Sequence, residues 1–552
     1  MILHYKKPLA LLTVILIYVS LLSCEKIKKR FVSQDDSVYA FQEYNTQLFD
    51  SSRLYQFLDN LCTEDLHCEE IFSFYRRRNF HYAWIDNGKL GISANTFITR
   101  IQDYRLQFKD TSLIDNAFFQ ILDTASKDSC FLDSNADIQR KIEFQLTAIF
   151  FKYATKEYYG IEKNLKDLEW YIPRKKKDFQ HLLDTLVNAP KSYEIYEPLN
   201  QYYKGLKSTL KKYRDLELNK DYKVLTISSE NEKTEIQPKL IIQLKKNLYL
   251  LGDLPSQDSI AEMDSTLIAS IQKFQSRFNI EPSGIIDQQT LTELNIPIKE
   301  RIKQILINLE RLRWFPDSVP SNYLIVNIPE YKLHVIENDS FKWSMNVVVG
   351  KEANATNIFM GTISHVAFSP YWNIPTSIIR NEILPKVKSN PSYLDRNNME
   401  IVSNGKVLSS SSINWSKYSL GVPFTIRQKP GTGNALGGIK FLFPNSFSIY
   451  LHDTPSKSLF KENERAFSHG CIRLGEPAKL AKYVFRSDTS YSIQRIKTLM
   501  SQKSETITRL SNPIPVFITY LTCWVNHKGE LNFRKDLYGH DKKLYDEVFA
   551  KI

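Results

Sequence analysis

The 552-residue sequence has no low-complexity tract and no collagen-like or mucin-like composition, which leaves an ordinary folded chain. Its apolar run Leu9 to Leu22, about 14 residues, falls short of the ~20 that a bilayer-spanning helix needs. There is no P-loop with its lysine, and Gly431-Thr432-Gly433 lacks both the further glycine and the following helix of a nucleotide loop, so it reads as a turn. Neither sign of charge is absent. The net charge of +12 is spread along the chain among acids, as on a solvated surface, although it also suits an anionic envelope. No nucleic-acid partner is expected.

What is present points outward. Lys6 and Lys7, the apolar run, then Ser23 and Cys24 have the shape of an export signal. Leu21-Leu22-Ser23-Cys24 resembles a bacterial lipobox, so residues 1–23 are expected to leave Cys24 as a lipidated N-terminus; an uncleaved anchor and plain secretion are the alternatives. The other cysteines are Cys62, Cys68, Cys130, Cys471 and Cys523. With Cys24 lipidated and Cys471 reactive, four remain, which permit three pairings; Cys62 with Cys68 is the simplest, and four buried thiols are the alternative.

At this length several domains are expected. Residues 24–235 read as a helical scaffold, with Leu54, Phe57, Leu58 and Leu61, and later Ile142, Phe144, Leu146, Ile149 and Phe150, at helical spacing. Aromatic stripes at that spacing are core before they are glycan platforms. A polar stretch, Ser228 to Lys233, reads as a linker or surface loop. Residues 236–297 read as three helices: Ile241, Leu244, Leu248 and Leu251 share a face ended by Gly252, Asp264 caps a second helix, and Asp287 caps a third after the Ser283-Gly284 turn. An amphipathic helix from Ile298 to Trp314 then leads into short β-branched segments, Tyr323 to Ile328, Lys332 to Ile336 and Trp343 to Val349. Polar, Pro-containing sequence at about 376–430 interrupts the strands before they resume at Lys440 to Phe443 and Ser448 to His452. An insertion of that size is a candidate lid or a surface excursion.

The chemistry-bearing residues cluster late. His452 closes a predicted strand, and Ser468-His469-Gly470-Cys471-Ile472-Arg473 follows after a short loop. A free thiol titrates near ~8.5, so a nucleophilic cysteine needs a base or a positive neighbour, and two histidines are at hand. Gly470 permits a sharp turn that would let backbone N–H groups converge on an oxyanion. Zinc ligation by His452, His469 and Cys471 is the competing reading; no fourth ligand is evident, so no metal or cofactor is expected.

His452, a spacer of 15 residues and Ser468-His469-Gly470-Cys471 resemble the L,D-transpeptidase catalytic domain of the YkuD type. Ile271 to Gln275 and Gly284 to Leu291 resemble the small peptidoglycan-binding domain. Asn308 to Trp314, Pro370 to Pro375, Asn434 to Gly437 and Leu537 to Asp541 are similar to the larger members with a helical scaffold. The resemblance implies an α+β multidomain fold: helical scaffold, three-helix peptidoglycan-binding domain and a β-sandwich-like catalytic domain at 298–552 with a lid insertion. It further implies a cell-envelope enzyme of wall biogenesis and cell shape, periplasmic and lipid-anchored, which joins peptidoglycan stem peptides by 3→3 cross-links and is acylated by carbapenems. In its terms Cys471 is the nucleophile and His452 the proton donor and acceptor. His469, Gly470 and the Cys471 amide shape the oxyanion site, Ser468 lies on the substrate side and supports the loop, and Arg473 holds a substrate carboxylate. Arg473 departs from the asparagine common at that position. Asp453 either orients His452 or holds a turn. L,D-carboxypeptidase action and non-catalytic wall binding are the alternatives.

Overall fold

The computed structural model describes residues 47–61, 67–128, 130–133, 135–226 and 237–548. The signal segment, Cys24, Cys62 and the polar stretch at 228–233 lie outside the described residues. Cys68 is disulfide-bonded to a partner that also lies outside them, whereas Cys130, Cys471 and Cys523 are thiols.

Two compact units divide the chain. One comprises described residues up to Glu162 together with Lys175–Leu199, and it is helical. Leu54 and Leu58 of helix Ser51–Leu61, and Ile142, Leu146 and Phe150 of helix Ala136–Ala154, reach its core fully buried. Glu143 is buried there too, accepting hydrogen bonds from the amides of Ala83 (2.5 Å) and Trp84 (3.0 Å) and from Tyr75 Oη (3.0 Å). Burial pushes its carboxyl up to about 7.

The second unit comprises Lys163–Arg174 and the chain from Asn200. Residues 237–295 of this unit hold the helices Pro238–Leu251, Ser265–Arg277 and Gln288–Asn295, and three of their ends follow from the sequence. Asp264 accepts from the Leu267 amide (2.8 Å) and Asp287 from the Thr290 amide (2.7 Å), while Gly252 takes the left-handed φ of 85° that stops the first helix. Gln275 stitches the intervening turn. Its amide donates to Ile285 O (2.8 Å) and accepts from Gly284 N (2.9 Å). Gly284 has φ +75°, and a Cβ there would meet Ile268 Cγ2 at 2.7 Å.

Helix Ile298–Trp314 is buried by a polar network. Asn308 exchanges bonds with Thr522 (2.7 and 2.9 Å), Thr522 Oγ1 donates to Asp541 (2.7 Å), and Arg311 pairs with Asp541. The motif at 308–314 and the one near 541 are thus two sides of one joint.

The largest sheet of the β-rich part has nine strands. Strand Ser340–Gly350 pairs both with Ile472–Leu474 and with Lys332–Glu337, so the sheet closes on itself. Strand Thr506–Thr519 lies between Phe359–Phe368 and Tyr323–Asn327, antiparallel to the first and parallel to the second. The segment at 376–430, expected as a lid or surface excursion, contributes Met399–Ser403, Lys406–Leu408 and Thr425–Gln428 to a four-stranded sheet whose remaining strand is Trp372–Asn373, just before it. Ile383, Val387, Ile401, Trp415 and Ile426 form a separate small core there.

Candidate functional site

Three strands carry the site. Ile439–Leu442 runs antiparallel to Leu451–His452, placing Lys440 opposite His452, and Leu451–His452 runs parallel to Ile472–Leu474, placing His452 opposite Arg473. Side chains alternate along a strand. Ile439, Phe441, Leu451, Ile472 and Leu474 are therefore on one face, all fully buried, and Lys440, His452 and Arg473 are on the other. Ile472 N donates to Tyr450 O (3.2 Å), which brings Cys471 beside Tyr450 on the polar face.

His452 is 5% exposed, and its Nδ1 lies 2.5 Å from the carbonyl oxygen of Asp453. A carbonyl only accepts, so Nδ1 carries the proton and Nε2 keeps its lone pair. Burial pushes the imidazole down to about 3; the Asp453 carbonyl opposes this, and the charges of Arg473 and Lys440 reinforce it. Burial likewise pushes the Cys471 thiol up, against hydrogen bonds from Tyr450 and the charges of Lys440 and Arg473. At neutral pH Cys471 therefore rests as a thiol and His452 as a neutral imidazole. The thiol lies 3.8 Å from the Ser448 carbonyl.

Tyr450 is the neighbour that links these groups. Lys440 Nζ sits 3.7 Å from its ring centroid, the His452 ring meets it edge-on at 5.6 Å, and burial beside Cys471 raises its phenol above the ordinary value.

The loop before Cys471 is held from below. Strand Ala466–Ser468 runs parallel to Ser340–Gly350, and Gly470 takes φ +111°, which a side chain would disfavour. Ser468 Oγ donates to Cys471 O (2.6 Å) and accepts from Gly470 N (3.1 Å). Thr356 Oγ1 donates to Gly470 O (2.8 Å) and accepts from Gly350 N (2.9 Å); Tyr538 Oη donates to Gly350 O (2.6 Å). Because the peptide is planar and trans, fixing the Gly470 carbonyl toward Thr356 turns the Cys471 N–H the opposite way.

The expected residues separate at this point. Cys471, His452 and Arg473 come together on one face, with Arg473 half-buried. Ser468 is 2% exposed with its hydroxyl held inside the loop, so it supports the loop and presents nothing to a substrate. His469 turns out to the insertion, its Nε2 3.1 Å from Glu382 Oε1. The Asp453 carboxylate holds a turn, accepting from Gly438 N (2.9 Å) and Thr454 N (2.7 Å) and pairing with Lys457. It is the Asp453 backbone that orients His452.

Sequence reasoning missed Lys440, Tyr450, Thr356 and Glu382. Strand alternation from His452 would have found Tyr450, two residues back. Thr356 is 114 residues from the carbonyl it holds and has no local signal. Among the described residues no group of three or more His, Cys, Asp or Glu is placed to hold a metal ion.

The arrangement is a thiol–imidazole site on the polar face of a closed β-sheet, and comparison with known proteins agrees with the sequence motif. Residues 321–491 match the family model described as "L,D-transpeptidase catalytic domain" (YkuD), 69–210 match "Scaffold domain", and 237–294 match "Putative peptidoglycan binding domain". The chain thus carries a YkuD-type L,D-transpeptidase catalytic domain preceded by a scaffold and a peptidoglycan-binding domain. A curated relative from Haemophilus influenzae, named "Putative L,D-transpeptidase", is 34% identical over 243 residues, 44% of this chain and 49% of its own length. The chain therefore spans about half the length of that relative. Two solved structures of L,D-transpeptidases are also similar. The one from Mycobacterium smegmatis shows 14% identity over 36% of this chain and 58% of its own, with a TM-score of 0.19. The one from Stackebrandtia nassauensis shows 14% over 53% and 97%, with a TM-score of 0.21. At such scores neither carries an argument about this chain.

Proposed function

We propose that the protein is an L,D-transpeptidase that forms 3→3 cross-links between peptidoglycan stems by acyl transfer through Cys471. The observation that supports this reading is an imidazole whose Nδ1 proton is held by the Asp453 carbonyl, leaving Nε2 as the base, on the strand next to the one that Cys471 precedes. His452 Nε2 takes the thiol proton as sulfur attacks the carbonyl between the third and fourth residues of a stem tetrapeptide. The oxyanion is met by the Cys471 N–H and the Tyr450 hydroxyl. Collapse breaks the C–N bond, His452 returns its proton to the departing D-alanine amine, and a thioester remains. An acceptor amine then attacks the thioester, its proton passes to His452, and the sulfur leaves to be reprotonated. One oxyanion donor is typically worth about 3–4 kcal/mol. Arg473 and Lys440 supply positive charge for a substrate carboxylate. Carbapenems would acylate the same sulfur. Lipidation of Cys24 would tether the enzyme to a membrane facing the periplasm.

Mass spectrometry of products from a disaccharide-tetrapeptide tests this. Dimers lacking one D-alanine, absent with Cys471→Ala, are expected. Tripeptide monomers alone would replace the reading with L,D-carboxypeptidase action, and unchanged substrate with folded protein would leave a wall-binding protein.

A further inference from the structure

A second cleft, about 540 Å³ in volume, shares no lining residue with the Cys471 cluster. It opens where helix Gln201–Leu218, strands Tyr323–Asn327 and Lys332–Glu337, and the segment 521–527 meet. This volume falls within the range of roughly 300–1,000 Å³ usual for ligand sites. None of the residues lining it is a lysine or arginine, although these make up 73 of the 552 residues in a chain of net charge +12. An anionic ligand would find no permanently charged partner there.

The walls are aromatic and fixed. Phe341 and His527 stack face to face, centroids 3.9 Å apart and planes 5° from parallel, with His527 exposed. Tyr202 is pinned by a 2.5 Å bond to the Tyr323 hydroxyl, and Trp524 is backed by the Arg534 guanidinium at 5.0 Å. The Asn327 amide binds the Leu521 backbone in both directions (3.0 and 2.8 Å), so the wall is preformed. Asp339 and Ser340 stand exposed at the rim, and on the floor Glu330 is paired with His334 at 2.8 Å.

An extended peptide would need an open strand edge. The two strands of the large sheet that line it offer none: Tyr323–Asn327 is paired on both sides, and so is Lys332–Glu337. Aromatic walls lined by no lysine or arginine, with a carboxylate and a hydroxyl at the rim, suit a ring that has apolar C–H faces and equatorial hydroxyls. We propose that this cleft binds a neutral N-acetylhexosamine glycan. Resting on the peptidoglycan reading above, the glycan is that of the same polymer, uncharged wherever its lactyl carboxyl is amide-linked to a stem.

The test titrates the full chain and its His527→Ala and Asp339→Ala variants with tetra-N-acetylchitotetraose by calorimetry. Turnover of a sugar-free tetrapeptide and of a disaccharide-tetrapeptide is measured in parallel. Saturable binding, weakened at least fivefold in each variant, is expected, with the variants raising KM for the disaccharide substrate and leaving turnover of the free peptide unchanged. No saturable binding by the folded wild type, equal binding by both variants, or a sugar-free stem peptide competing for the cleft would overturn it. If the tetraose binds as expected while neither substrate is turned over, the cross-linking reading fails and the glycan site stands.

Discussion

His452 is buried on the polar face of the sheet, and one short contact decides what it can do. The Asp453 carbonyl fixes its tautomer, and burial with Arg473 and Lys440 nearby keeps it uncharged. Alkylation of Cys471 by iodoacetamide should therefore rise steadily with pH through the neutral range toward the raised thiol pKa, with no inflection near 6.5. A plateau between pH 6 and 8 would mean a preformed thiolate–imidazolium pair. The same burial has a stability consequence. An imidazole depressed from its ordinary value to about 3 contributes stability that is present above about 6.5 and lost as pH falls toward 3, because the unfolded chain binds the extra proton. Urea midpoints should fall more steeply over that window for the wild type than for His452→Gln. For Tyr450→Phe, acylation should slow by on the order of 10²-fold with little change in melting temperature, since the ring and its Lys440 contact remain. Unchanged kinetics would remove the phenol from the oxyanion site.

At the scale of elements, the helix ends were legible because their signals are local. Asp264, Asp287 and Gly252 each act on residues two to four positions away. Ile472–Leu474, which follows Cys471, is three residues long and was not marked, whereas the strand that ends at His452 was legible too. Thr506–Thr519 was not, because Pro513 and Pro515 break its pattern and its register shifts between Arg509 and Ile514. The insertion was located but its architecture was not, since strands such as Lys406–Leu408 are short and exposed and gain their meaning only from the separate core around Ile401 and Ile426. Its Glu382 meets His469, the residue two before Cys471. Replacing 376–430 by a short Gly-Ser linker should leave Cys471 reactive to iodoacetamide while stem-peptide turnover drops at least about tenfold, as expected for an element that closes over a substrate. Retained affinity and turnover would reduce the insertion to a surface excursion.

For the whole molecule, the order of domains was legible from composition and motif. The long-range joints were not: Asn308 with Thr522, Arg311 with Asp541, and Thr356 with Gly470 link residues more than a hundred positions apart. The motifs at 308–314 and 537–541 carry no chemistry of their own, and their pairing explains why those residue types are needed. The N-terminal expectations belong to this scale as well. Cys24→Ala should move the protein from the membrane to the soluble fraction of the envelope, and a variant that stays with the membrane would exclude a lipid tether. The central claim is that Cys471 carries the acyl group. Its most direct test is intact-mass and peptide-mapping analysis after mixing the protein with stem tetrapeptide in the absence of an acceptor amine. The account predicts an adduct of the tetrapeptide less D-alanine, mapped to Cys471 and lost on treatment with hydroxylamine; D-alanine release with no adduct on Cys471, or with the adduct on another residue, would contradict it.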